Sequence, residues 1–258
     1  MIKAVFLDID GTMVSFKTHC VSEETGKSLR KARRNGVKIF VATGRHRNDI
    51  NNLGDLEFDG YLSLNGAYCW VGNETVFKKN IPQKDVLTFA DYIEKEPKIP
   101  CFFVEAERVT VNMINDDVRK MMELVNFSPR TIVPANEVKN REMFQLTAFF
   151  PIEREAEIVT LLPDCFVSRW HPTFADITVK GVDKSFGIQK ISEYLGFSKD
   201  EVMAIGDGGN DISMIQYAGV GVAMDNAGEE VKQAADYVTT TVDEDGVGRA
   251  LRRFGVIF

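Results

Sequence analysis

Ala4-Val5-Phe6-Leu7 is an unbroken apolar run with β-branched and aromatic members, and it stops at two carboxylates, Asp8 and Asp10, followed by Gly11-Thr12. A strand that is apolar on both faces must be covered on both faces, the situation of a parallel sheet between helices. Open α/β sheets collect their ligands outside the carboxyl ends of such strands. Two carboxylates delivered there repel and perturb each other's ionisation unless a cation or a proton lies between them. Mg²⁺ is the usual partner of bare carboxylate oxygens. Asp-x-Asp-Gly is also a common turn sequence. A calcium loop is a poorer reading, because its later acidic positions and closing Glu are missing.

The same pattern recurs. Ser22-Glu23-Glu24 opens a helix that closes at Arg30 to Arg34 and Gly36, acids first and bases last. Val37 to Ala42 forms a second buried strand ending in Thr43-Gly44-Arg45, and Asp59 to Leu64 a third ending in Asn65-Gly66-Ala67. Strand, helix, strand, helix, strand at this spacing predicts a parallel sheet. In that reading His46 starts the second helix and faces solvent, as does His19.

Near Asn80-Ile81-Pro82 the alternation changes. Val86, Phe89, Ala90 and Ile93 recur at helical spacing. Phe102 to Glu105 and Val109 to Asn112 read as a hairpin. A helix is expected from Asp116 to Asn126 with Val118, Met121, Met122 and Val125 inward, then a strand from Met143 to Phe149. A further helix from Glu153 to Leu162 precedes strands at Phe166 to Trp170 and Phe174 to Val179. This stretch is α+β with a core of its own, of typical small-domain size. From Lys180 the first pattern resumes: a helix after Lys184, then Val202 to Ile205, a fourth buried strand ending in Gly206-Asp207-Gly208-Gly209-Asn210-Asp211. A helix through Met214 and Ile215, a short strand at Val220 to Ala223, a helix through Val231 and Ala235, and Tyr237 to Thr239 complete the sheet. The expected fold is α/β, a Rossmann-like parallel-sheet core of residues 1–81 and 180–258 with an inserted α+β cap of residues 82–179.

Net charge is −7, from 31 basic and 38 acidic side chains. That argues against nucleic acid or an anionic membrane as the main partner. No apolar run approaches the ~20 residues of a membrane span, and Asp8 and Asp10 interrupt the only candidate leader. Cys20, Cys69, Cys101 and Cys165 lie far apart, with no zinc or redox spacing. A cytoplasmic protein with reduced thiols is expected.

Four strand ends thus bring polar turns to one edge: Asp8-x-Asp10, Thr43-Gly44-Arg45, Asn65-Gly66 and Asp207-x-x-Asn210-Asp211. Together with Lys184 they supply acids for a metal, a hydroxyl and amides for an anion, and nearby cations. In this order, Asp8-Ile9-Asp10-Gly11-Thr12, Ala42-Thr43-Gly44-Arg45, Lys180-Gly181-Val182-Asp183-Lys184 and Gly206 to Asp211 resemble the four motifs of the haloacid dehalogenase superfamily of phosphatases, in particular its Cof-type branch with an α/β cap. The likeness spans the whole chain. Met13 stands where Leu is usual, and Ser185-Phe186 where the branch often has Gly.

The resemblance implies an Mg²⁺-dependent phosphomonoester hydrolase acting on small phosphate esters, sugar phosphates including hexose phosphates foremost, through an aspartyl-phosphate. Asp8 would be the nucleophile and Asp10 the acid and base. Ile9, Thr43, Gly44, Lys184 and Asn210 would bind phosphate, with Lys184 preferred to Lys180 by its place in the motif. Asp8, Asp10 and Asp207 would hold the metal, and Asp211 would orient bound water or Lys184. Arg45 and Asn65 are candidate substrate contacts. In the cap, Trp170 is read first as core packing and His171 as surface, a Trp face lining a sugar pocket being the lesser reading. Glu105 and Arg169 are weaker candidates for substrate hydroxyls, and closure is expected at linkers near Ile81-Pro82 and Gly181-Val182. Two other readings remain: a sugar phosphomutase, and a phospho-acceptor regulatory module, against which Asp10 and the insert argue. The oligomeric state is left open.

Overall fold

The computed structural model describes residues 1–95, 98–124 and 131–258, which form two compact units. Met1–Arg45, Ile50–Lys78 and Val182–Phe258 make the first, and His46–Asp49 with Lys79–Gly181 the second.

In the first unit β1 (Ala4–Leu7) is buried along its whole length. Helix α1 (Glu23–Arg34) begins where Ser22 accepts the N–H of Thr25 and ends on Lys31, Arg33 and Arg34, so caps and charges agree with its direction. Strands β2 (Lys38–Ala42) and β3 (Gly60–Ser63) follow. The helix expected between them is absent: the described residues there form only a 3₁₀ turn, Arg47–Asp49. Asn51-Asn52 and Gly54-Asp55 are poor helix formers, and His46–Asp49 pack with the second unit instead. His46 is accordingly buried, not exposed. Its Nε2 lies 2.9 and 3.0 Å from the carbonyl oxygens of Glu105 and Ala106, while Nδ1 accepts the N–H of Asn48, an assignment that puts the ring proton on Nε2. After β3 the chain adds an antiparallel hairpin that the apolar pattern did not reveal, β4 (Tyr68–Val71) and β5 (Glu74–Lys78).

The second unit contains α2 (Gln83–Ile93), β6 (Cys101–Val104), β7 (Val109–Val111), α3 (Asp116–Leu124), β8 (Gln145–Ala148), α4 (Glu155–Leu161), β9 (Cys165–His171) and β10 (Phe174–Val179). Its strands form an antiparallel sheet in the order β7-β6-β8-β10-β9. Val86, Phe89, Ala90 and Ile93 of α2 enter one core with Phe103, Leu146 and Ile177. Val118 of α3 is buried with Phe102, Phe149 and Phe174, and Met121 and Met122 pack against them. Val125 and Asn126 lie outside the described residues, as does the side chain of Trp170.

The chain returns through α5 (Lys184–Leu195), β11 (Val202–Gly206), α6 (Ile212–Tyr217), β12 (Val220–Ala223), α7 (Glu229–Ala234), β13 (Tyr237–Val238) and an unanticipated short helix, α8 (Gly246–Arg253). The sheet order is β13-β12-β11-β1-β2-β3-β4-β5, parallel from β13 to β3. One face buries Val5, Leu7 and Val41 against Leu29, Ala250 and Leu251, and the other buries Phe6 and Phe40 against Ile188, Ile191 and Ile215. β1 is therefore central, with β2 to one side and β11 to the other. That reversal of strand order is where a crevice opens at the carboxyl edge of an α/β sheet. Cys69, Cys101 and Cys165 are buried, and burial raises all three thiols. Among the described residues no helix is long and apolar enough to cross a membrane.

Candidate active site

Asp8 leaves β1 at that reversal. Lys184, the first residue of α5, reaches it from the other half of the unit: Nζ donates to Asp8 Oδ1 at 2.7 Å and to Asp211 Oδ1. Lys184 has no solvent exposure, which an ammonium tolerates only when paired. Helix α5 is aimed by its own cap, the Asp183 carboxylate accepting the N–H of Phe186, so Ser185-Phe186 does not disturb the entry. Lys180 is elsewhere, donating to the carbonyl of Pro163.

Asp211 has both oxygens engaged. Oδ1 takes Lys184, and Oδ2 accepts the N–H groups of Asp207 and Gly208 at 2.9 and 2.8 Å. Asp207 is held differently, with Thr12 Oγ1 donating to its Oδ1 at 2.7 Å and Asn226 Nδ2 lying 3.4 Å from its Oδ2. Asn226 Nδ2 also donates to the Gly11 carbonyl at 2.9 Å, and its Oδ1 accepts the N–H of Val242. Gly11 makes this approach feasible: at φ +85°, a Cβ there would sit 2.1 Å from Asp207 Oδ2. Thr12 and Asn226 were not singled out as site residues. Asn226 follows β12 as Asp8 follows β1, so the strand-end rule could have found it.

One oxygen from each of Asp8, Asp207 and Asp211 falls within 4.8 Å of the others. Burial pushes Asp8 well above the ordinary carboxylate range, against the pull of Lys184 and with help from Asp211 and Asp207. Burial likewise pushes Asp207 up to about 7, the Thr12 hydrogen bond opposing it. Burial alone would lower Lys184, but Asp211 and Asp8 hold it above the usual lysine value. The cradle thus carries more carboxylate than one lysine neutralises. A hard oxygen donor set of this kind fits a divalent cation such as Mg²⁺.

This has a measurable consequence. A carboxylate whose pKa is raised on folding keeps a proton that the unfolded chain has already lost, so its penalty on stability grows as pH rises from about 4 to about 7. At about 1.4 kcal/mol per unit and about 2–4 °C per kcal/mol, the midpoint of unfolding in EDTA should be about 5 °C lower at pH 8 than at pH 5.5. Saturating Mg²⁺, which favours the ionised forms, should close that gap. Equal midpoints at the two pH values in EDTA would contradict the arrangement.

Thr43, Gly44 and Arg45 follow β2 and Asn65 follows β3, across β1 from β11. Arg45 grips Asp10 with two parallel bonds, Nε to Oδ2 at 2.6 Å and Nη2 to Oδ1 at 2.7 Å. Thr43 is buried and its Oγ1 accepts the N–H of Arg45. The Ile9 side chain is buried in the core, so its backbone is what it can present to a ligand. Asn210 Nδ2 donates to Asn65 Oδ1 at 3.0 Å, a side-chain partner where a phosphate oxygen was expected. Leu64, Asn65 and Gly66 all have positive φ (51°, 53° and 95°), a run that non-glycine residues adopt only when their surroundings over-determine it. The surroundings do so: the N–H groups of Leu64 and Asn65 donate to the carbonyls of Arg45 and Thr43, and a Cβ on Gly66 would lie 2.2 Å from the Asp183 carbonyl. In the second unit, Glu105 pairs with Arg108 and Arg141. Arg169 is spent on Glu155 and the carbonyls of Phe150, Pro172 and Phe174, and His171 bonds to Thr173.

The sequence profile of the haloacid dehalogenase-like hydrolases matches residues 5–251. The chain belongs to that family. Among solved structures, this hydrolase is similar to BT4131, a HAD subclass IIB sugar phosphatase, with a TM-score of 0.92 and 45% identity over 99% of this chain and 100% of that one. It is 32% identical over 259 residues to YkrA of Bacillus subtilis (strain 168), a protein named provisionally as a phosphatase, covering 99% and 98% of the two chains. It is 28% identical over 255 residues to YcsE of the same organism, a 5-amino-6-(5-phospho-D-ribitylamino)uracil phosphatase, covering 98% and 96%. The hydrolase is a phosphatase, with the mixed α/β core of the subclass IIB fold.

Proposed function

We propose that this phosphatase hydrolyses small phosphorylated sugars with Mg²⁺, through an aspartyl-phosphate on Asp8. The observation that carries the reading is the convergence of Asp8, Lys184, Asp207 and Asp211 at the centre of the first unit, which we take as the catalytic core. Sugar phosphates are favoured because the 45%-identical relative matched along its full length is a sugar phosphatase. The inserted second unit is assigned the choice among phosphate esters.

Asp8 and Asp207 would hold the ion with the Asp10 backbone, while Asp211, already engaged, fixes Lys184 and the loop carrying Asp207. When bound, the metal supplies positive charge that lets two anions approach. Lys184 contributes the same in part, and it points the Asp8 carboxylate by binding one oxygen and leaving the other for attack. Thr43, the turn amides at Gly44 and Ile9, and Asn210 would receive phosphate oxygens. Asn65 lies beside Gly44, where a Cβ would approach its amide to 3.3 Å, and is placed to contact the same ligand. Asp10 would protonate the leaving oxygen and later take a proton from water. Arg45 fixes the direction of that carboxylate and can reach the substrate only by releasing it.

The test is phosphate release from a panel of hexose phosphates, nucleotides and phosphorylated cofactors, with Mg²⁺ and with EDTA, for the wild type and Asp10→Asn. Hexose phosphates should be among the best substrates, EDTA should stop turnover, and no isomeric sugar phosphate should form. Asp10→Asn should slow release by about 10²–10⁴-fold, the usual worth of a positioned acid and base. Turnover that survives EDTA, or an Asp10 variant at wild-type speed, would reject the assignment.

A further inference from the structure

The sheet of the second unit has one apolar face and one that is not. On β8 and β10, Leu146, Ala148, Ala175 and Ile177 point into the core with α2. The alternate residues, Gln145 and Thr147 on β8 and Asp176 and Thr178 on β10, share the opposite face, Gln145 across from Thr178 and Thr147 across from Asp176. All four are buried, none more than 9% exposed. β8 and β10 lie inside the sheet, where apolar β-branched residues cost least. Elsewhere on this face the protein uses carbon, Phe102, Phe149 and Phe174 packing beneath Val118 of α3. A polar block at such a place is expensive to bury.

The bonds among these side chains converge on one carboxylate oxygen. Thr147 Oγ1 donates to Asp176 Oδ1 at 2.6 Å, and Gln145 Nε2 donates to the same oxygen at 3.0 Å and to Thr147 Oγ1 at 3.1 Å. The amide cannot be reversed, because its oxygen would then face a carboxylate. Gln145 Oε1 is therefore turned away from the network, and it is buried without a partner. A buried carbonyl oxygen left so destabilises the fold unless a donor reaches it. What is missing is a donor, and because the wanting acceptor is a neutral amide, a neutral O–H suits it.

We propose that the Gln145–Thr147–Asp176 block is a binding site for a polyhydroxylated group, one of whose hydroxyls donates to Gln145 Oε1. Two sources share that chemistry, a free sugar or polyol and the alcohol portion of a phosphate ester. The second rests on the function proposed above, and the first does not.

The deciding variant is Gln145→Leu/Thr147→Val/Asp176→Leu in the full chain. The three changes remove the bonds among these side chains together, so the unfolding midpoint should stay within 10 °C of that of the wild type. Calorimetric titration with glucose, and KM for glucose 6-phosphate beside that for p-nitrophenyl phosphate, whose leaving group has no free hydroxyl, read the two sources. A tenfold or greater loss of glucose affinity supports a free polyol as ligand. A tenfold or greater rise in KM for glucose 6-phosphate, with kcat/KM for p-nitrophenyl phosphate within twofold, supports the ester's alcohol. A midpoint lowered by 10 °C or more, or neither ligand affected, would overturn the proposal. Failure of the wild type to hydrolyse p-nitrophenyl phosphate would instead count against the proposed function and leave the glucose arm to decide this one.

Discussion

Converting Asp8 to asparagine is expected to lower phosphate release by roughly 10⁴–10⁶-fold, the scale on which loss of a covalent nucleophile is felt. The amide keeps the shape of the carboxylate and its oxygen can still accept from Lys184, so turnover is lost without a cavity or an orphaned ammonium. Stability should move the other way. Burial already pushes the Asp8 carboxyl well above its ordinary range, which means that its charge is a burden on the metal-free fold. Asp8→Asn should therefore unfold in EDTA at or above the wild-type midpoint at pH 8 and gain less from Mg²⁺. A variant that keeps more than a hundredth of the wild-type rate would remove Asp8 from the nucleophile's role.

Lys184→Met should fail in both respects. Methionine fills much of the same volume, but it leaves Asp8 and Asp211 buried without their shared cation. Breaking a buried ion pair from one side costs about 3–5 kcal/mol, which for a chain of this size means a midpoint lower by about 10 °C. Activity should fall below detection, since the side chain that aims Asp8 and cancels its repulsion from phosphate is gone. Mg²⁺ should raise the midpoint of this variant more than that of the wild type, because it meets carboxylates with nothing else to neutralise them. Lys184→Arg should not restore activity, since a fully buried site has no room for a planar guanidinium. A Lys184→Met protein as stable as the wild type would mean that the carboxylates hold their protons and the ion pair is absent.

How much of this was legible in the sequence depended on the range of the interaction that sets each feature. The buried strands were legible because apolar runs such as Ala4–Leu7 and Val202–Ile205 require cover on both faces wherever they occur. The convergence of Asp8, Thr43 and Asp207 followed, since parallel strands share an edge. The β4–β5 hairpin was missed because Glu74–Lys78 is polar and half exposed, although Gly72-Asn73 is a two-residue hairpin signal. Helix α8 shows apolar spacing only at Val247, Ala250 and Leu251, too short a pattern to stand out. His46 could not be read locally, because its partners are carbonyl groups 59 and 60 residues away. The same holds for the Gln145–Asp176 network, whose members meet only once β8 and β10 pair. Arg45 was expected near a ligand, and the structure gives it a carboxylate, Asp10, with the geometry a phosphate would also accept.

The position of β1 in its sheet has a consequence for how the molecule is made. Its two neighbours are β2, early in the chain, and β11, which is synthesised only after the whole second unit, while the counter-charge of Asp8 lies 176 residues downstream. On the ribosome the nascent amino-terminal segment must wait with an unpaired strand edge and an uncompensated acid, while the insert, closed on its own sheet, can mature first. Such a long-range closure is slow and leaves apolar surface open meanwhile, so this core should lean on chaperones during synthesis far more than its insert does.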